Sequence, residues 1–161
     1  MRRKNSVWLG VVVVVLTLSG PVPRVQAQTP DEAAVVRVVH DLFDGMREKD
    51  SEKIRGVFAE GARLGALNRE GVVSYTAAED FAMRVGQGAA SLDERVWDWE
   101  VRIDGNLAQV WTKYDILVNG EFSHCGIDAF QLFDTTDGWK IFHLADTRHT
   151  GPDCWRYPAN D

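Results

Sequence analysis

The side chains able to do acid–base, nucleophilic or metal chemistry crowd into the last third of the chain: Tyr114, His124, Cys125, Asp128, His143, Asp146, Arg148, His149 and Cys154. An imidazole titrates near neutral pH, so a pocket-facing histidine could act as a general base. A tyrosine hydroxyl or a glutamine amide, here Tyr114 or Gln131, could donate to a developing oxyanion. The histidines, cysteines and aspartates lack the C-x-x-C or H-E-x-x-H spacing of a metal site, so no metal is expected. On a strand His143 and Asp146, three residues apart, would point to opposite faces. The chain has no G-x-S-x-G elbow and no glycine-rich phosphate loop, and no cofactor is expected.

Which of these groups can meet depends on the elements that carry them. Residues 94–148 read as four long strands joined at Asp104-Gly105, Asn119-Gly120 and Asp137-Gly138. Asn-Gly and Asp-Gly between alternating apolar runs are hairpin signals, because type I′ turns need positive φ. Upstream, Thr29-Pro30-Asp31-Glu32 is a capping box with proline in the first turn. Val35, Val36, Val39, Leu42, Phe43 and Met46 follow at helical spacing. A second helix is expected from Ser51 to Ala59, capped by Asp50. Short strands are expected over 62–67 and 71–75. Thr76-Ala77-Ala78-Glu79 reads as a capping box opening a third helix that runs to Gly88. The class is α+β, with three helices packed on a strongly curved antiparallel sheet.

The first 27 residues read as a signal peptide: basic Arg2, Arg3 and Lys4, an apolar run from Val7 to Leu18, and a Val25-Gln26-Ala27 cleavage site. The expectation is an exported protein, periplasmic or secreted, with residues 28–161 as one domain. Losing Arg2, Arg3, Lys4 and Arg24 takes Lys plus Arg from 18 to 14 against 24 acidic residues, a formal charge of −10. An acidic chain without a basic run repels phosphate backbones, which excludes nucleic acid as a partner. No membrane association is expected after cleavage. In an oxidising compartment Cys125 and Cys154 either pair, stapling the tail to the sheet by about 2–4 kcal/mol, or stay as two buried thiols.

The order of elements, with the segment VWTKYDILVNGEFSHCGIDAFQLFDTTDGWKIFHLADTRH, resembles the nuclear-transport-factor-2-like (NTF2-like) superfamily. That superfamily includes ketosteroid-isomerase-like and polyketide-cyclase (SnoaL-like) proteins. Within it the chain is similar to the exported, lumazine-binding-type branch. The resemblance implies a cone: a curved sheet around a central pocket closed by helices. It transfers no reaction, since the fold hosts enzymes, binding modules and assembly domains.

Taking the Asp104-Gly105 and Asn119-Gly120 hairpins as two-residue turns sets a register for the first three strands, and directly opposite residues share a face. The predicted inner face then carries Trp97, Trp99, Val101, Val110, Thr112, Tyr114, Ile127, Gln131 and Phe133. The last turn is longer; on the last strand Lys140 favours the outside, which would put Ile141, His143, Ala145 and Thr147 inside. The ligand-binding set is thus Trp97, Trp99, Thr112, Tyr114, Gln131 and His143, with His143 and Tyr114 as the catalytic candidates. The opposite face carries Trp111, Lys113, Asp115, His124, Asp128, Phe130, Leu132, Phe142, Leu144, Asp146 and Arg148. So many large apolar groups suggest a homodimer packed through the outer sheet, with His124, Asp128, Asp146 and Arg148 as its polar pairs or as an alternative site. One bulge would reverse this and turn His124 and Asp128 into the pocket.

Three functions fit these residues. The leading one is an exported protein holding a small, mostly apolar or aromatic molecule in the cone. The second is a lyase or isomerase with His143 as base and Tyr114 as donor. The third is a dimeric assembly module with a filled cone.

Overall fold

A computed structural model describes residues 29–67 and 70–158; the expected signal peptide lies outside the described residues. Helix α1 spans Pro30–Glu48, and its capping box is made by Thr29 and Glu32. Lys49 takes a left-handed conformation (φ 57°) that ends the helix. Asp50 then accepts from the backbone N–H of Glu52 and Lys53 to start α2, Ser51–Val57. Strands β1 (Phe58–Leu67) and β2 (Val73–Ala77) precede α3 (Ala78–Gln87). The third helix has no side-chain cap: β2 runs through Ala77, so Thr76 stays in a strand rather than capping as the sequence suggested. Strands β3 (Leu92–Asp104), β4 (Leu107–Val118), β5 (Glu121–Thr135) and β6 (Gly138–Asp146) complete the fold.

The six strands form one sheet in the order β2-β1-β6-β5-β4-β3. The β1–β6 pairing is parallel and the others antiparallel, so the sheet is mixed. The sheet does not close on itself, because β2 and β3 are both edges. The apolar stripe of α1, with Val35, Val39, Leu42, Phe43 and Met46, packs against Val110, Phe130, Leu132 and Ile141 on the inner face of the sheet. Phe43 meets Phe130 edge-on, ring centroids 6.1 Å apart.

Three one-residue bulges decide which side chains share this face. They fall at Asp98 in β3, Ser123 in β5 and the Phe142 position in β6. Asp98 has φ 62°, an unusual conformation for a residue with a Cβ. Each bulge inserts one residue on one side of a ladder and exchanges the two faces beyond it. The Asn119-Gly120 turn is the expected two-residue turn, with Val118 opposite Glu121. The first hairpin closes one pair later than expected, at Asp104 opposite Leu107, which leaves the faces unchanged.

The tail crosses the convex face of the sheet. Cys125 is bonded to Cys154, and His149 bridges to Cys125 through backbone hydrogen bonds of 2.8 and 3.1 Å. The Trp155 indole N–H donates to the Tyr114 carbonyl, and the Tyr157 backbone N–H donates to Asp115. Asp115 is fully buried beneath the tail and is gripped by Arg95 through two hydrogen bonds of 2.8 and 2.6 Å.

Candidate functional site

The bulges rearrange the expected pocket. Tyr114, Thr112 and Trp99 face the helices as predicted. Trp97 does not: the Asp98 bulge turns it to the convex side, where it packs edge-on against Tyr157. Gln131 and His143 also lie on the convex face, directly opposite each other, so neither can serve the cone. Conversely, the Ser123 bulge brings His124 and Asp128 inside, and the bulge in β6 does the same for Leu144 and Asp146. Phe130 and Leu132, assigned outward from the turn, are fully buried in the core. Trp111 does face outward. Phe133 joins it on that face, stacked against Phe142 at 4.4 Å.

A cavity of about 240 Å³ sits between α1, α3 and the sheet. Its walls are Leu42, Phe43, Met46, Phe81, Ile116 and Leu144, and its polar groups are Glu94, Tyr114, His124, Asp128, Asp146 and Arg148. It adjoins a groove of about 450 Å³ beside α3, with Leu64, Phe81, Leu92, Asp146 and Arg148 common to both.

The centre of the polar group is a pair of carboxyls. Asp128 is 2% exposed, and Glu94 reaches towards it from β3, so that the two carboxyls interact directly. Burial pushes the Glu94 carboxyl up to about 7, with the charge of Asp146 adding to the effect. Burial first, then the charge of Glu94, raises Asp128 well above the ordinary carboxylate range. Two carboxyls this close in an apolar setting hold one proton between them near neutral pH. Asp128 Oδ2 is buried and accepts from no N–H or hydroxyl donor among the described residues, which leaves the Glu94 carboxyl as the group placed to share a proton with Asp128.

The neighbouring groups are already engaged. Asp146, opposite Asp128 across the β5–β6 ladder, accepts from Arg148 Nε at 2.6 Å. The Tyr114 hydroxyl donates to the Thr147 carbonyl at 2.8 Å, and burial raises its pKa, so it stays protonated. That single proton is committed, which removes Tyr114 as the expected oxyanion donor while leaving its ring in the wall. Thr112 is also spent: its hydroxyl donates to the Trp97 carbonyl at 2.8 Å, tying down the β3 bulge. His124 stands edge-on to Tyr114, and burial lowers its pKa, favouring the neutral imidazole. Gly126 is indispensable here. A Cβ on it would lie 1.8 Å from the Thr147 oxygen and 2.6 Å from the Tyr114 ring. Among the described residues no trio of His, Cys, Asp or Glu is arranged to hold a metal ion, and no helix is long and apolar enough to cross a membrane.

The sequence offered one clue to the true inner face. Within β5, Asp128, Phe130 and Leu132 alternate with Ala129 and Gln131, and the larger apolar set marks the core side. Glu94 carried no such signal; its role emerges only when the bulges bring it beside Asp128.

The model of the family described as "Putative lumazine-binding" matches residues 30–143, and the chain belongs to that family. Solved structures with the same fold include an NTF2-like protein of unknown function from Shewanella baltica. It is 15% identical, with a TM-score of 0.59 over 78% of this chain and 100% of that one. An NTF2-like protein from Cytophaga hutchinsonii, 12% identical, has a TM-score of 0.65 over 75% and 100% of the two chains. A protein with a cystatin-like fold from Nostoc punctiforme, 9% identical, has a TM-score of 0.63 over 76% and 93%. No curated protein matches the chain.

Proposed function

We propose that this is an exported protein that binds a small, mostly apolar molecule in its cone. The observation that carries the proposal is the cavity of about 240 Å³ with apolar walls and a few converging polar groups, opening on a larger groove. Ligand sites have this composition, with an apolar surround for affinity and sparse polar groups for orientation. Membership of the lumazine-binding family supports ligand binding as the general activity. Native mass spectrometry of the protein purified from its own host tests this. An additional small-molecule mass that is lost on denaturation is expected. A bare polypeptide mass, with no stabilisation by any member of a panel of apolar compounds, would refute it.

A second reading, a lyase or isomerase, is favoured by one specific observation: Glu94 and Asp128 line the same cavity as a buried carboxyl pair, where burial raises Glu94 to about 7 and Asp128 above the ordinary carboxylate range. A base matched to neutral pH next to an acid suits proton abstraction beside a carbonyl. Glu94 takes the role expected of His143, which lies outside the cone. With a turned-over substrate in hand, Glu94→Gln should lower kcat about 10²–10⁴-fold while binding persists. Unchanged turnover would leave the binding reading alone.

The homodimer belongs to the same proposal. Leu107, Trp111 and Phe133 on the convex face are 43, 44 and 41% exposed, beyond the area the tail covers. A second copy packed on this face by two-fold symmetry would bury them.

A further inference from the structure

The groove outside the cavity has a charge balance opposite to that of the chain. The full sequence carries a formal charge of −6, yet the charged residues lining the groove are Arg84, Arg148 and a single acid, Asp146. Asp146 is already held by Arg148 Nε at 2.6 Å. Arg84, exposed in the last turn of α3, makes no ion pair with any described residue. The groove therefore holds one uncompensated positive charge. Arg148 adds further N–H donors: its side chain is 64% exposed and its Nη groups make no hydrogen bond to a described residue. Between this cationic rim and the buried carboxyl pair the wall is apolar, formed by Leu64, Phe81 and Leu92.

Each end of this path selects against some ligands. An ammonium head would meet unneutralised guanidinium at the rim. A diacid would drive its second carboxylate against Glu94, Asp128 and Asp146. A single carboxylate is matched by the planar donor forks of the two arginines. We infer that the ligand is an amphipathic monocarboxylic acid. Its carboxylate sits on Arg84 and Arg148, its apolar body runs along Leu64, Phe81 and Leu92, and its uncharged far end lies in the cavity at Asp128. This inference rests on the reading of the cone as a small-molecule site.

Isothermal titration at pH 7.5 and low salt, with decanoate, 1-decanol and decylammonium as matched probes, tests it. Decanoate is expected to bind about tenfold or more tightly than decanol, with decylammonium weakest. Arg84→Gln, on an exposed helix surface, is expected to bring decanoate down to the affinity of decanol. Equal binding of decanoate and decanol, tighter binding of decylammonium, or an Arg84→Gln variant that keeps the full preference would each overturn the carboxylate assignment while small-molecule binding stands. Failure of all three probes to bind overturns the carboxylate assignment as well, and the small-molecule reading falls with it only if native mass spectrometry also finds a bare polypeptide.

Discussion

Replacing Glu94 with glutamine should stabilise the protein at alkaline pH and not at acid pH. Glutamine keeps the size of the side chain and can hydrogen-bond Asp128, but it cannot ionise. In the unfolded chain the carboxyl titrates at 4.5, and in the folded protein it is raised to about 7. Below pH 4 both states hold the proton, and the group contributes nothing to the pH dependence. As pH rises from 4.5 towards 7 the unfolded chain releases its proton while the folded one retains it, so stability falls. Above pH 7 the folded carboxyl ionises as well, and the loss levels off. At about 1.4 kcal/mol per pH unit, the wild type loses about 3 kcal/mol across this window. The variant escapes that loss. Urea denaturation of both proteins from pH 4 to pH 9 measures the difference directly. Glu94→Gln should match or fall slightly below wild type at pH 4, then gain up to about 3 kcal/mol by pH 8. A difference that is flat with pH, or that moves against the variant as pH rises, would refute the shared-proton pair.

Three further outcomes follow from the same geometry. Gly126→Ala, whose Cβ would sit 1.8 Å from the Thr147 oxygen, should cost about 2–4 kcal/mol through overpacking and loss of the Tyr114–Thr147 hydrogen bond, read as a lower denaturation midpoint. Replacing both Cys125 and Cys154 with serine removes a cross-link spanning 29 residues and should cost about 3–4 kcal/mol on the chain-entropy model. Hydrogen exchange over residues 149–157 should rise with it. His143→Ala should leave ligand affinity within about twofold of wild type, because the side chain lies on the convex face.

Local chemistry wrote much of this fold into the sequence. The Thr29–Glu32 box, the Asp50 cap, the α1 stripe and the Asn119-Gly120 turn all appear as local rules require. These signals are local in sequence, the longest being the stripe from Val35 to Met46, and need no partner elsewhere. The inner-face assignment failed for a different reason. A register carried outward from a turn is reversed by every bulge it passes, and Asp98, Ser123 and Phe142 each sit on such a passage. Trp97, Gln131 and His143 left the predicted site, and His124, Asp128 and Asp146 entered it, through those three insertions. Burial patterns within strands survive a bulge better. The spacing of three between Ile141 and Leu144, both buried, already marks a break in a two-residue period. The Arg95–Asp115 pair was illegible for another reason: its burial depends on a tail more than 40 residues away.

The most direct test is a high-resolution crystal structure of residues 28–161 purified from the native host. Ligand density in the cone, against Phe43, Phe81 and Asp128 and reaching Arg148, is the predicted result. A dry cone filled by its own side chains, with two copies packed through Trp111 and Phe133, would contradict small-molecule binding and leave an assembly module in its place.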